Sequence, residues 1–117
     1  MVLPYDSSEI TALGAQARAG LDLAERRCPR CGHVGMRRYY KIFEGPARTS
    51  LITYLWCPSC HGYDGSTVSG AGMTLDHDPM AELDPAELRV LKADLESYFA
   101  KLDALWESGK LPQHLTE

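Results

Sequence analysis

Three stretches of the chain carry periodic apolar patterns, each of a different kind. In DSSEITALGAQARAGLDLAERR, Ile10, Leu13, Ala17, Leu21 and Ala24 recur at helical spacing. Asp6 precedes the run and Glu9 follows it by three residues. At that spacing the Asp side chain accepts from a free backbone N–H while the Glu reaches back to the cap. The pattern predicts a helix over residues 7–24, weakened at Gly14 and Gly20, each worth about 1 kcal/mol against Ala.

The second stretch changes period. MRRYYKIF and LITYLW are dominated by aromatic and β-branched residues, and Gly45 and Pro46 supply turn chemistry between them. An antiparallel hairpin is the economical reading. Ile52, Tyr54 and Trp56 share one face of the second strand and Leu51, Thr53 and Leu55 the other, so both faces are apolar enough to call for a cover. A short third strand is expected around Ser66 to Ser69.

The third stretch, LDPAELRVLKADLESYFAKLDALWESGKLP, returns to helical spacing. Leu88, Leu91, Leu95, Tyr98, Leu102 and Leu105 form a stripe that Phe99 and Trp106 widen. Asp84 is placed to cap, Pro85 suits the first helical position, and Gly109 with Pro112 ends the run. One long helix over residues 85–108 is predicted. Its stripe must be buried against the sheet, the first helix or a second copy of the chain, so homodimerisation stays open.

No repeat or linker divides the 117 residues, which are read as a single α+β domain, 1–117. There is no apolar run of about 18 residues to span a bilayer, and MVLPYDSSEI has neither the basic start nor the apolar stretch of a secretory signal. A cytoplasmic location with no membrane partner is expected. The net charge of −4 is unevenly distributed: residues 1–25 carry −3, residues 26–60 carry +6 and residues 61–117 carry −7. The basic middle can meet phosphates or an acidic partner, or be neutralised by its own flanks.

All four cysteines lie in that basic middle, as CPRC at Cys28 and Cys31 and CPSC at Cys57 and Cys60. Two Cys-x-x-Cys pairs bridged by a hairpin deliver four thiolates, the set that tetrahedral zinc takes at about 2.3 Å. Three other readings compete. An iron site for electron transfer would colour the protein red. Thiol redox chemistry needs a strand-to-helix setting that neither pair has. A catalytic zinc needs an open coordination position, which four thiolates do not leave.

CPRCG, a hairpin and then CPSC resembles a zinc ribbon over residues 26–70. The resemblance implies one structural zinc held by Cys28, Cys31, Cys57 and Cys60 in a ribbon of two or three strands, which the two helices read from periodicity would flank. Rubredoxins are similar in their paired knuckles. Where ribbons often carry Gly after the last Cys, this chain has His61 and then Gly62. His61 and His33 are expected near the site but outside the ligand set.

RRYYK interleaves bases with aromatics, so Arg37, Arg38, Tyr39 and Lys41 are candidates for a nucleic-acid face like that of transcription-associated ribbons. Glu96, Asp103 and Glu107 fall on one helical face and are candidates for receiving a basic protein. LDHDP around His77 reads either as a metal or acid–base cluster or as ordinary turn formers. No nucleophile elbow, phosphate loop or His-Glu metalloprotease motif is present, so no enzyme is indicated. A non-catalytic, protein-binding accessory module is expected first, of the kind found among toxin-neutralising immunity proteins, and a nucleic-acid-binding ribbon second.

Overall fold

The computed structural model describes residues 2–117. The predicted hairpin is present as β1 (Arg37–Glu44) and β2 (Thr49–Trp56), antiparallel, with Tyr39 opposite Tyr54 and Arg37 opposite Trp56. A third strand, β3 (Tyr63–Ser69), pairs antiparallel with β2 and starts three residues before the expected Ser66. The sheet order is β1-β2-β3.

The first helix, α1 (Ser7–Arg18), begins at the predicted capping box, with Asp6 accepting from Glu9 N–H and Glu9 accepting from Asp6 N–H, both at 2.9 Å. It ends six residues before Ala24. Gly20 adopts φ +86°, and the N–H groups of Gly20 and Leu21 fold back onto the carbonyls of Ala17 and Gln16. Such a left-handed stop is cheap only for glycine. Leu13 alone is buried on α1, so the rest of the apolar spacing is not spent on a core.

The expected long helix is two helices. After a two-residue strand β4 (Thr74–Leu75), α2 (Pro85–Lys92) starts on Asp84 and stops at Ala93. A new helix, α3 (Leu95–Glu107), starts on Asp94, whose carboxylate accepts from Glu96 N–H and the Ser97 hydroxyl. An Asp that caps its own following turn competes with helix continuation, and here the cap wins. The break lets α3 lie on the sheet while α2 packs Leu88 and Leu91 against the rim of the same core and has no fully buried residue.

On the sheet face that carries Tyr39, Tyr54, Trp56 and Tyr63, α3 buries Tyr98, Phe99, Leu102 and Leu105. Phe99 is fully buried, with ring centroids 5.1 Å from Tyr63, 5.6 Å from Trp56 and 5.9 Å from Tyr54. Most of the leucine stripe is therefore satisfied within the chain. A second core joins Tyr5 and Leu13 to Cys28, Met36 and Cys57.

The chain's two ends finish the sheet edges. Beyond α3 a short strand β5 (Leu115–Thr116) pairs with β4. Ahead of it Gln113, only 3% exposed, runs beside β1, accepting from Tyr40 N–H at 2.8 Å and donating to Tyr40 C=O at 2.7 Å. On the opposite edge Tyr5 N–H donates to Tyr63 C=O. Alternate residues of an antiparallel strand turn their backbone groups outward. Past Tyr63 the outward groups of Gly65, Thr67 and Ser69 therefore meet solvent.

Candidate metal centre

Two similar loops present the cysteines, one just before β1 and one between β2 and β3. In the first, Cys28 N–H donates to His33 C=O and Gly32 N–H donates to Cys28 C=O; in the second, Cys57 N–H donates to Gly62 C=O and His61 N–H donates to Cys57 C=O. Each loop turns through a left-handed residue directly after its second cysteine, Gly32 at φ +80° and His61 at φ +55°. The hairpin then sets the loops face to face.

The four sulfurs lie within 4.8 Å of one another, with Cys28 to Cys60 at 3.7 Å and Cys31 to Cys57 at 3.6 Å. These separations are far longer than a disulfide bond, about 2.05 Å. They match the sulfur–sulfur edge of a tetrahedron with about 2.3 Å metal–sulfur bonds, which is about 3.8 Å. The four cysteines could hold one metal ion. Backbone N–H groups of Arg30, Ser59 and Gly62 point at the sulfurs of Cys28, Cys57 and Cys60, each at 3.4 Å. Such donors favour thiolates.

Electrostatics within the cluster is uneven. Burial resists ionisation of Cys28, but the Tyr5 hydroxyl, the N–H groups of Cys31 and Arg30, and Cys60 together outweigh it and bring the thiol down to about 7. Burial pushes the thiols of Cys57 and Cys60 up. A cation at the centre repays that burial by pairing with all four sulfurs at once.

The N-terminal segment closes one side. Tyr5 Oη sits 3.0 Å from Cys28 Sγ, and burial followed by this contact raises the phenol well above its ordinary range, so the hydroxyl keeps its proton and can donate it to a Cys28 thiolate. Arg30 clamps the segment in place, pairing with Glu9 at 2.7 Å, donating to the carbonyls of Leu3 and Pro4 and lying 5.1 Å over the Tyr5 ring. Gly62 is required beneath that ring, since a Cβ there would come within 2.6 Å of Tyr5 Cε1.

His61 is the residue that stands where ribbons often have glycine, and it does not join the sulfurs. Its Nε2 lies 2.7 Å from Asp103 Oδ2 on α3. Asp103 Oδ1 accepts from Arg37 at 2.7 Å and from the Trp56 indole N–H at 2.9 Å. A left-handed non-glycine residue is uncommon, and the Asp103 contact holds this one in place. Asp103 thus latches the second cysteine loop and the sheet to α3. His33 is exposed.

The other candidate residues are dispersed. Tyr39 is 1% exposed and donates to Asp78 at 2.6 Å, so its ring is not available for stacking. Arg37 is paired with Asp103, which takes Asp103 out of a free acidic face, and reaches the largely exposed Glu107 only at 3.9 Å. Glu96 remains exposed, Arg38 lies 4.7 Å over the Tyr40 ring, and Lys41 is half-buried near Lys92. The LDHDP segment is a turn: Asp76 accepts from the N–H groups of His77 and His114, and His77 contacts Lys110 C=O. Of these placements the Asp103 latch was missed from sequence, although His61 in a glycine position was its visible trace. No helix among the described residues is long and apolar enough to cross a membrane. Comparison of the chain with family models, curated proteins and solved structures finds no match.

Proposed function

We propose that the chain is a non-catalytic binding module built on a zinc ribbon, and that it recognises a protein with a basic face. The observation that carries the reading is the sulfur quartet, whose 3.6–3.7 Å edges suit a closed tetrahedral shell. Four thiolates favour zinc among abundant divalent ions and leave no position for a reacting water. The ion then supplies shape, and its binding energy is folding energy.

For the partner, the support comes from α2 and the start of α3. Val90 is 70% and Leu95 37% exposed, and this stretch carries the exposed carboxylates of Asp84, Glu87, Asp94 and Glu96 against the exposed bases Arg89 and Lys92. Exposed apolar side chains in a net acidic setting suit a basic protein surface, as in partner-neutralising accessory proteins. The nucleic-acid reading is weaker, because Tyr39 is buried and Arg37 is ion-paired.

Elemental analysis of natively purified protein should give one zinc per chain, and chelation should abolish the cooperative melt; a metal-free preparation with the same melting curve would overturn the metal reading. For the partner, Glu87→Lys with Glu96→Lys should release proteins captured by the parent from its own cells. Unchanged capture would count against the acidic surface.

A further inference from the structure

The outer edge of β1 is closed on both sides of a single open rung. Met36 donates its N–H to Leu23 C=O, and both backbone groups of Tyr40 are taken by Gln113. By the alternation of an antiparallel strand, Arg38 between them also turns its N–H and C=O outward. Neither the 22–26 loop nor the C-terminal segment gives Arg38 a backbone partner. Pro112, beside it, has no N–H to offer.

That rung faces a cleft of about 390 Å³ whose apolar walls are Leu23, Pro112 and Trp106. Arg26 and Arg38 are among its lining residues, and the Arg38 guanidinium lies 4.7 Å over the Tyr40 ring. Arg30 and Arg37 both have carboxylate partners, whereas Arg26 and Arg38 have none within ion-pair reach among the described residues. Arg26 spends only its Nε, on Leu21 C=O. The Nε of Arg38 is enclosed with no hydrogen-bond partner at all. Asp22 stands at the rim, but its Oδ1 is committed to Glu25 N–H. The open backbone rung and the two arginines without carboxylate partners leave donors at the cleft for an incoming acceptor.

We propose that this cleft binds the carboxyl terminus of an extended peptide that ends in an apolar residue. The carboxylate matches the forked donors of Arg26 and Arg38. The peptide backbone continues the ladder at Arg38, and the terminal side chain fills the space against Leu23, Pro112 and Trp106. The volume is at the lower end for ligand sites, about 300–1,000 Å³, which fits one or two residues and not a long segment. The site is separate from the acidic surface of α2, so either can fail without the other.

The test is a titration of the ¹⁵N-labelled, metal-loaded full chain with N-acetyl-Ala-Leu as the free acid, with its C-terminal amide and with inorganic phosphate. The reporters are the Arg26 and Arg38 Nε–H signals and the Trp106 indole N–H. The free acid should shift all three saturably and bind at least about tenfold more tightly than the amide or phosphate, the gain expected for a charge-assisted pair. Arg38→Gln should lose that margin, while Arg48→Gln, outside the cleft, keeps it. If Arg38→Gln disturbs β1, Arg26→Gln on the loop carries the same comparison. Equal binding of acid and amide, binding of phosphate as tight as the acid, or full affinity in both arginine variants each overturns the proposal.

Discussion

Replacing Asp103 by Ala tests the latch between the second cysteine loop, the sheet and α3. The substitution removes one acceptor from three donors. Trp56 is 0% exposed, so its indole N–H would be left without a partner at a cost of about 1–3 kcal/mol. The Arg37 side chain is 17% exposed and has Glu107 at 3.9 Å to fall back on. Its loss therefore counts nearer 1 kcal/mol than the 3–5 kcal/mol of a fully buried broken pair. The His61 contact adds about 1 kcal/mol. The total is about 4 kcal/mol, which for 117 residues lowers the melting temperature by roughly 16 °C. Asp103→Asn keeps an acceptor for Trp56 and Arg37 and should lose only about 1–2 kcal/mol. Urea unfolding at a fixed excess of metal measures both variants without confusing stability with metal loss. A folded Asp103→Ala protein within 1 kcal/mol of the parent would mean that this carboxylate is an ordinary surface acid and that α3 is held by apolar burial alone.

Tyr5→Phe removes the hydroxyl from Cys28 Sγ and should weaken metal binding about tenfold in a chelator competition, the usual scale for groups that support a ligand; unchanged affinity would reduce Tyr5 to a packing residue. Gln113→Ala strips both backbone groups of Tyr40 of their partner and should cost about 2 kcal/mol, with amide exchange at Tyr40 accelerated more than at Tyr39. Uniform exchange at the two would refute the edge-sealing role. The clasp between Asp76, His77 and the C-terminal segment should be pH-dependent. The Asp76 carboxyl lies below its ordinary value of 3.8, first because of His114 N–H, so its contribution is present above that value and is lost as pH falls through the depressed one. His77 lies above 6.5, first because of Lys110 C=O and then Asp76, so its contribution is full below 6.5 and is lost as pH rises through the raised value. Protection of the His114 amide, corrected for intrinsic exchange, should peak between those limits, and a flat profile would show that neither charge matters.

The parts of the fold written in short-range chemistry were legible. Asp6 and Glu9 marked the start of α1, Asp84 and Pro85 the start of α2, and the paired CxxC spacing brought four sulfurs to one point. Periodicity misled where a local stop overrode it. Leu21 and Ala24 fit a helical stripe, but Gly20 ends α1 before either, and Leu91 to Leu95 continue a stripe across a residue that caps the next helix. Both stops can be read in retrospect, since Gly at C′ and Asp before Leu-Glu-Ser are terminal signals inside an apolar pattern. Asp103 could not be read locally. Its spacing from Glu96 and Glu107 places it with exposed acids, and only the crossing of α3 over β1 and β2 brings Arg37, Trp56 and His61 to it.

The two borders of the three-stranded sheet are unequal, and that limits how copies of the chain can join through it. Along β1 the Leu23 carbonyl and the Gln113 carboxamide occupy the rungs at Met36 and Tyr40, and the open rungs between and beyond them include the charged Arg38 and Glu44, whereas Gly65, Thr67 and Ser69 of β3 offer three consecutive vacant rungs with no charge among them to repel a neighbour. Two molecules meeting border to border at β3 would each present the interrupted, charged β1 side to the outside. Strand addition is therefore disfavoured along β1, whose open rungs are interrupted and carry charge, relative to β3, and a pair joined through β3 would turn its less receptive borders outward.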